Sequence, residues 1–176
     1  MNRYLLGKNQ ISITPTINRI SKSFKSEGLF LVMDILKWIH TNLKFNNDNI
    51  YKSKVFRKRT ADQIIRSRLV TGCTDYALVF IALARAKGIP TKYVETISKE
   101  WIKKPDINDI KGHVFAEVYM NKKWYIIDPE AGAIRHSYGK KYKLVEKGLD
   151  SWDVGIKDIN TLRLKFKKFT RSKIIY

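Results

Sequence analysis

Three residues in separate parts of the chain have side chains suited to thiol chemistry: the one cysteine, Cys73, and the later residues His113 and Asp128. Cys73 follows a glycine and opens an uninterrupted apolar helical pattern that ends at Gly88. Unpaired backbone N–H groups and the dipole at a helix N-terminus favour the thiolate, which is the nucleophilic form of cysteine. The position therefore predicts a reactive cysteine that receives its base from elsewhere in the fold.

A predicted β-hairpin brings the histidine and the aspartate together. Two strands are expected on either side of a two-residue turn at positions 121 and 122: His113 to Met120 and Lys123 to Asp128. In that register Phe115 faces Asp128, and strand alternation adds His113 to the same face. Because the sheet twists, His113 and Asp128 then lie diagonally within hydrogen-bonding reach. A register shift of one residue would place them on opposite faces.

The three residues match the nucleophile, base and orienting carboxylate of thiol acyl transfer. His113 would take the thiol proton, and Asp128 would hold the imidazole in one tautomer. The backbone N–H of Cys73 is expected to bind a developing oxyanion, with Gln63 or Tyr51 as candidates for a second donor.

Each residue alone also has an ordinary structural explanation. A lone cysteine is more often a small buried apolar residue than a nucleophile. The histidine could be a satisfied strand residue, and the aspartate could end a strand before a turn. A Cys/His/Asp metal site is a further alternative, but three single ligands without close spacing are weak evidence for it. The prediction of catalysis therefore depends on the joint pattern.

Composition limits the classes of protein that need to be considered. A length of 176 residues predicts one domain over 1–176, large enough to fold without disulfides. One cysteine excludes an internal disulfide and a Cys-rich zinc site, and it favours a reducing compartment. The first fifteen residues lack the apolar run of a signal peptide, and no stretch reaches the length of a membrane span. We therefore expect a soluble cytoplasmic protein without a cofactor.

The formal net charge of +19, from 35 Lys and Arg against 16 Asp and Glu, is the second strong compositional feature. It is compatible with nucleic acid, an anionic membrane surface or acidic protein partners. A solvated basic surface from lysine-rich composition is the simpler alternative, because the lysines are spread along the chain. Two basic segments with interleaved aromatic residues define the rival hypothesis of a non-enzymatic nucleic-acid-binding module: Tyr51–Arg59 and Leu162–Lys173.

The remaining elements are expected from periodicity and turn residues. Residues 1–23 suggest an N-terminal arm or strand, and His40 is expected on the surface of an amphipathic helix. Thr60 and Gln63 form a capping-box pattern at the start of a further helix. The expected helices cover 29–43, 61 to about 69 and 158–169; the expected strands cover 91–97 and 140–146; the expected loops cover 51–59, 98–111 and 131–137.

Two stretches resemble the transglutaminase-like superfamily: GC at 72–73 with its helix ending in RAKGIPTKYVE, and GHVFAEVYMNKKWYIIDP at 112–129. The resemblance covers about 60–130, and DSWDVGI at 150–156 is similar to a segment of microbial members. It implies a papain-like α+β fold in which a central helix packs on an antiparallel sheet. It matches Cys73 to the family nucleophile, His113 to its histidine, Asp128 to its aspartate and Trp124 to the aromatic residue before it.

The resemblance also sets the expected activity. Transglutaminases, peptide N-glycanases and many microbial candidate cysteine peptidases share a thioester intermediate, which implies protease, deamidase or transglutaminase-type chemistry on a protein or peptide. The basic surface could recruit an acidic substrate. Phe115 stands where many members have Trp, and Thr74 stands where animal transglutaminases have Trp. The chain has no room for the extra β-domains of those enzymes, so calcium-dependent crosslinking is not implied.

Overall fold

The computed structural model describes residues 2–172 of the chain. Short 3-10 turns at Arg3–Leu5 and Asn9–Ile11 precede the regular elements. The helices α1 to α7 are, in order, Pro15–Ser23, Gly28–Asn42, Asn49–Val55, Ala61–Ser67, Cys73–Ala86, Lys99–Lys103 and Ile159–Arg171. The strands β1 to β7 are, in order, Lys44–Phe45, Leu69–Val70, Thr91–Ser98, Gly112–Met120, Lys123–Asp128, Ala133–Arg135 and Tyr142–Gly148.

Five of these strands form an antiparallel sheet in the order β6-β5-β4-β3-β7, and β1 and β2 form a small parallel pair. The predicted hairpin register between β4 and β5 is confirmed, since Tyr119 pairs with Trp124. Asn121 and Lys122 have φ angles of 49° and 62°. Both turn residues are therefore left-handed, as in the type I′ turn that matches the twist of the flanking strands.

Helix α5 is the central helix of the fold, as predicted. It contacts β3 and β4 on one side and α1, α2 and α4 on the other. From Thr74 to Arg85 every residue of the helix is buried. A helix enclosed in this way has a fixed position, so its first residue, Cys73, is held at a defined place beside the sheet. The result is a mixed fold of helices on an antiparallel sheet, the architecture expected from the sequence.

The N-terminal segment differs from the expected arm or strand. Thr14 caps α1 and Pro15 occupies its first turn, a combination that starts a helix well. Ile11 and Ile17 are fully buried in the main core. The sequence predicts an arm or a strand here because the segment is mostly polar. Its apolar residues are too few to give a clear helical period.

Three segments predicted as loops contain regular structure. Asp48 caps α3, which replaces the first part of the predicted 51–59 loop, and Ser98 caps α6 within the predicted 98–111 loop. Strand β6 lies within the predicted 131–137 loop and pairs with the end of β5. These elements are only three to seven residues long, which is too short to show a clear period in the sequence.

The longer predicted elements agree with the structure to within a few residues. Thr60 and Gln63 form the expected capping box on α4, which ends at Ser67 because Arg68 is left-handed. The last helix starts after its cap Asp158, and the end of the second basic segment, at 173, lies outside the described residues. Over residues 2–172, no helix has the length and apolar character needed to cross a bilayer.

Candidate active site

The backbone turn before Cys73 is fixed by its own sequence. Gly72 has φ 155° and ψ −173°, a conformation that is almost restricted to glycine. Asp75 in the first turn of α5 accepts hydrogen bonds from the backbone N–H and the hydroxyl of Thr71, both at 2.8 Å. It also forms a buried ion pair with Arg59 at 2.5 Å. These contacts hold the half-buried Cys73 at the N-terminus of α5.

His113 and Asp128 meet across the hairpin as the predicted register requires. His113 Nε2 lies 2.9 Å from Asp128 Oδ1. A carboxylate only accepts hydrogen bonds, so Nε2 carries the hydrogen and Nδ1 is the nitrogen left for other partners. The backbone N–H of Ala131 donates to the same carboxylate at 3.2 Å, and Arg135 approaches its other oxygen at 3.6 Å. The aspartate is thereby oriented from three sides.

The remaining side of the imidazole faces the thiol and a second carboxylate. Cys73 Sγ, a ring nitrogen of His113 and a carboxylate oxygen of Glu130 all lie within 4.8 Å of one another. Nδ1 is the ring nitrogen 3.5 Å from Glu130 Oε2. In the metal-site alternative, Glu130 therefore replaces Asp128 as the candidate ligand. Glu130 lies beside the thiol, whereas Asp128 contacts the opposite nitrogen of the ring.

Two aromatic rings pack against the imidazole. Tyr142 stacks on His113 with ring centroids 5.4 Å apart and an angle of 24° between the planes. Phe115 meets the same ring edge-on at 4.6 Å. Phe115 stands where the family often has Trp, and here its smaller ring still packs against the imidazole. This packing restricts the ring to the orientation in which both nitrogens have partners.

The electrostatics of the group favour a charged imidazole. Burial alone would lower the pKa of His113, but the hydrogen bonds with Asp128 and then with Cys73 raise it to about 10. Burial likewise opposes the charge of Asp128, yet its hydrogen bond with His113 lowers the pKa of that carboxyl. Burial raises the pKa of Glu130, which its proximity to His113 only partly offsets. These contacts favour the charged form of the ring.

A cavity of about 170 Å³ opens beside Cys73 and His113. Its walls come from α3, the turn before α5, the start of β4 and α7, so the last helix contributes to the site. The lining is part polar and part apolar: Lys52, Phe56, Arg57, Thr71, Gly72, Cys73, Thr74, Asp75, Glu95, Ile110, Gly112, His113, Leu162 and Phe166. The cavity therefore offers both polar and apolar groups beside the thiol.

A buried ion pair between Arg57 and Glu95 forms part of this lining. The two guanidinium Nη atoms donate to the two oxygens of Glu95 at 2.7 and 2.9 Å, a bidentate geometry. Nη1 also donates to Tyr93 at 2.8 Å and to Ser151 at 3.0 Å. Burial alone would lower the pKa of Arg57, but the charge of Glu95 and then that of Tyr93 raise it above its usual value. The guanidinium is therefore permanently charged near Cys73.

Two segments far apart in the sequence bind the backbone at Arg57 and Arg59. The side chain of Gln10 donates to the carbonyl groups of Arg57 and Arg59 at 3.0 and 2.9 Å. Trp152 donates to the Arg57 carbonyl at 2.8 Å. Ser151 and Trp152 belong to the DSWDVGI segment noted in the sequence, and these contacts account for its place in the fold.

Several cations of the two basic segments make internal contacts. Arg57 and Arg59 are buried in ion pairs and so are withdrawn from the surface. In α7, Phe166 is fully buried in the core and Arg163 donates to a backbone carbonyl at 3.0 Å. Lys165 pairs with a glutamate of β7. The interleaved aromatic and basic pattern thus reflects a core-facing amphipathic helix, and it lends no support to nucleic-acid binding.

The two candidates for a second oxyanion donor have other partners. Gln63 is exposed, and its amide oxygen accepts the backbone N–H of Thr60 within the capping box. The hydroxyl of Tyr51 accepts a hydrogen bond from Arg59 at 3.1 Å. Neither side chain lines the cavity beside Cys73. The sequence-based choice of a second donor therefore stays without structural support.

Sequence reasoning missed the contacts that Glu130 and His40 make around the site. Glu130 directly follows the Asp-Pro turn, and no pattern in the sequence distinguishes it from an ordinary turn residue. His40 is exposed, as predicted, but its Nε2 lies 2.9 Å from the carbonyl oxygen of Pro129 and its ring stacks on Tyr76 at 5.2 Å. His40 thus connects α2 to the segment that carries both Asp128 and Glu130.

Replacement of His40 by alanine is expected to loosen this segment. The variant loses one hydrogen bond and one ring contact, and we expect destabilisation of about 1 kcal/mol. Because Asp128 would be held less firmly, the rate of Cys73 alkylation at neutral pH should also fall. Urea unfolding and iodoacetamide kinetics measure the two effects, with the exposed His136→Ala variant as control. Equal behaviour of the two variants would contradict the inference.

A cysteine at the N-terminus of a central helix, facing a histidine of an antiparallel sheet, defines the class of papain-like thiol folds. Comparison with protein families agrees: residues 17–129 match the model of the transglutaminase-like superfamily, and the chain belongs to this superfamily. Membership supports cysteine-based catalysis in general terms. A sequence comparison with curated proteins gives no match.

Solved structures share the fold at low sequence identity. A candidate cysteine protease from Cytophaga hutchinsonii superposes with a TM-score of 0.66 at 20% identity. The match covers 87% of this chain and 48% of that one, so the chain spans about half the length of this relative. Legionella pneumophila LapG gives a TM-score of 0.54 at 12% identity, covering 89% of this chain and 95% of that one. At these low identities the superpositions show a shared fold and nothing further.

Proposed function

We propose that the protein is a cysteine-dependent enzyme that hydrolyses or transfers the acyl group of an amide through a thioester on Cys73. His113 is the proposed base and acid, and Asp128 the proposed orienting group. The observation that carries this proposal is the position of the His113 ring. One nitrogen is 2.9 Å from Asp128, and the ring lies within 4.8 Å of the thiol on its other side.

In the proposed acylation, His113 Nδ1 holds the proton of the Cys73 thiol. The thiolate attacks the amide carbon, a C–S bond forms, and the carbonyl electrons move to oxygen. The backbone N–H of Cys73 at the helix N-terminus is the proposed donor to that oxyanion. When the oxyanion collapses, the C–N bond breaks and His113 delivers its proton to the departing amine. The product is a thioester and a neutral ring.

In the proposed second half, water or an amine attacks the thioester and gives its proton to His113 Nδ1. The C–S bond breaks, the acyl group leaves, and the thiolate and imidazolium are restored. Hydrolysis, deamidation and amine transfer share these steps and differ in which amide enters and which acceptor leaves with the acyl group. The cavity adjoining Cys73 is open on one side, so water can reach the thioester.

A protein or peptide substrate with acidic residues is the proposed class. A groove of about 450 Å³ is lined in part by Asp128 and Tyr142. Tyr142 also stacks on the His113 ring, so the groove adjoins the site. Three exposed cations border it: Arg135, Lys140 and Lys141. Acidic side chains that flank the reacting amide would be attracted to this groove.

We also propose that the protein works in a reducing, cytoplasmic compartment.

The direct test is to trap the acyl group. The full chain is incubated with electrophilic peptide analogues that carry either a glutamine side-chain amide or a backbone amide next to the warhead. Each analogue is made in acidic and basic versions. Mass spectrometry of the intact protein and of its peptides should find one adduct on Cys73, formed faster with the acidic version. Absence of any adduct, or equal labelling after unfolding in urea, would contradict the proposed function.

Replacement of Asp128 by asparagine is expected to lower the pKa of His113 from about 10 towards its ordinary value. The carboxylate stabilises the charged ring, and an amide does so far less. Since the imidazolium is present below the pKa and is lost as pH rises through it, the variant should lose the charged ring at lower pH. NMR titration of the His113 ring measures the midpoint. An unchanged midpoint would show that Asp128 does not set the charge.

A further inference from the structure

The group of Cys73, His113 and Glu130 has a composition that the proposed catalytic cycle does not explain. That cycle uses the thiol and the imidazole, and it gives Glu130 no part. Yet one atom of each residue lies within 4.8 Å of the others, and each side chain is partly exposed. Thiolate sulfur, imidazole nitrogen and carboxylate oxygen are the three ligand types that zinc takes in proteins.

We propose that Cys73, His113 and Glu130 bind one Zn²⁺ ion and that the bound ion reversibly blocks the thiol. The part of this statement that concerns catalysis rests on the proposed function. The binding part rests on the three side chains alone. The fourth position of the ion would face the open cavity and hold water, as in zinc sites with three protein ligands.

The surroundings of His113 favour a metal at Nδ1. Its Nε2 is engaged by Asp128 at 2.9 Å, and Asp128 is itself held by the backbone N–H of Ala131. A metal-binding histidine typically donates its other ring N–H to a carboxylate in this way, which fixes the tautomer and the direction of the lone pair. The aspartate therefore supports the base in the proposed cycle and the ligand in the zinc complex alike.

The mixture of ligand atoms selects the metal. Calcium and magnesium require oxygen ligands, and this group offers one sulfur, one nitrogen and one carboxylate. The ligand atoms now lie within 4.8 Å of one another. With ordinary Zn–S and Zn–N lengths, tetrahedral zinc requires them to be about 1 Å closer. The side chain of Glu130 is 38% exposed and can make this movement without disturbing the core.

Binding changes the reactivity of the thiol in a way that can be measured. The ion takes an electron pair from both Sγ and Nδ1. With both pairs engaged, Cys73 can neither attack a carbonyl group nor react with an alkylating agent, and a chelator restores it.

The experiment is calorimetric titration of the full chain with ZnCl₂. We expect one ion per chain, and protection of Cys73 from iodoacetamide that EDTA reverses. Glu130→Gln should weaken binding by about tenfold or more, the lower range for disturbing a metal site. Glu146→Gln, on a surface glutamate paired with Lys165, is the matched control and should bind like the parent.

Several results would overturn the zinc site. They are no stoichiometric binding, binding of equal strength in Cys73→Ser, or equal strength in Glu130→Gln. Co²⁺ gives a second readout, because thiolate ligation produces a charge-transfer absorbance that Cys73→Ser must abolish. The two proposals can fail separately. Zinc that binds and protects Cys73 in a protein that forms no acyl adduct leaves this site standing, and adduct formation without zinc binding leaves only the enzyme.

Discussion

Replacement of Cys73 by serine is expected to abolish formation of the acyl adduct and to reduce turnover on the order of 10⁴- to 10⁶-fold, the range found when a covalent nucleophile is removed. Serine preserves the shape of the turn before α5 but does not supply a thiolate. The measurement is adduct formation with the best peptide analogue, followed by steady-state hydrolysis of the matching peptide.

Thr74→Ser is the matched control for this variant. Thr74 is the next residue of α5 and lines the same cavity, and a hydroxyl is kept there. Its effect should stay within a few-fold of the parent. If Cys73→Ser kept more than a small fraction of the activity, the thioester mechanism would be wrong, and the reaction would have to use another nucleophile or an activated water.

Replacement of Glu95 by glutamine is expected to destabilise the fold by about 3–5 kcal/mol, because it leaves the guanidinium of Arg57 buried without its counter-charge. The two side chains are 1% and 4% exposed, so water cannot compensate. A loss of this size is a large part of the stability of an ordinary domain. Urea unfolding monitored by tryptophan fluorescence measures it.

Two further variants separate the charge effect from packing. Arg66→Met removes the cation of the exposed pair with Asp62 and should cost less than about 1 kcal/mol. The double variant Arg57→Met/Glu95→Leu removes both charges and should be more stable than Glu95→Gln alone. If all three variants unfolded at the same urea concentration, the buried pair would have no special energetic importance.

The parts of the fold that sequence predicts well are those in which one residue pattern permits one arrangement. The apolar helix after Cys73 had to be central because it has no polar face. The hairpin register followed from a two-residue turn between strands of known alternation, and it placed His113 beside Asp128. Both inferences use local geometry, which a single sequence contains.

Two kinds of expectation failed: those that depend on contacts between distant residues and those that concern short capped helices. The sequence predicts a basic loop around Arg57, because nothing in its neighbourhood shows that Glu95 and Ser151 lie next to it. Glu130 and His40 gain their significance from the path of the 129–132 segment. Short polar helices such as α3 and α6 were missed because capping by Asp48 and Ser98, rather than apolar periodicity, establishes them.

The hydrogen bonds around Arg57 have a consequence for biosynthesis. They join residues 47, 94 and 95 positions apart, and two of the partners, Ser151 and Trp152, follow every strand of the sheet in the sequence. Because contacts of such sequence separation form late, a ribosome-bound chain that stops short of Ser151 cannot complete the cavity beside Cys73. The surroundings of the thiol are therefore completed only after the strands of the sheet have been made, and a chain truncated before Ser151 is expected to lack the contacts that hold Arg57.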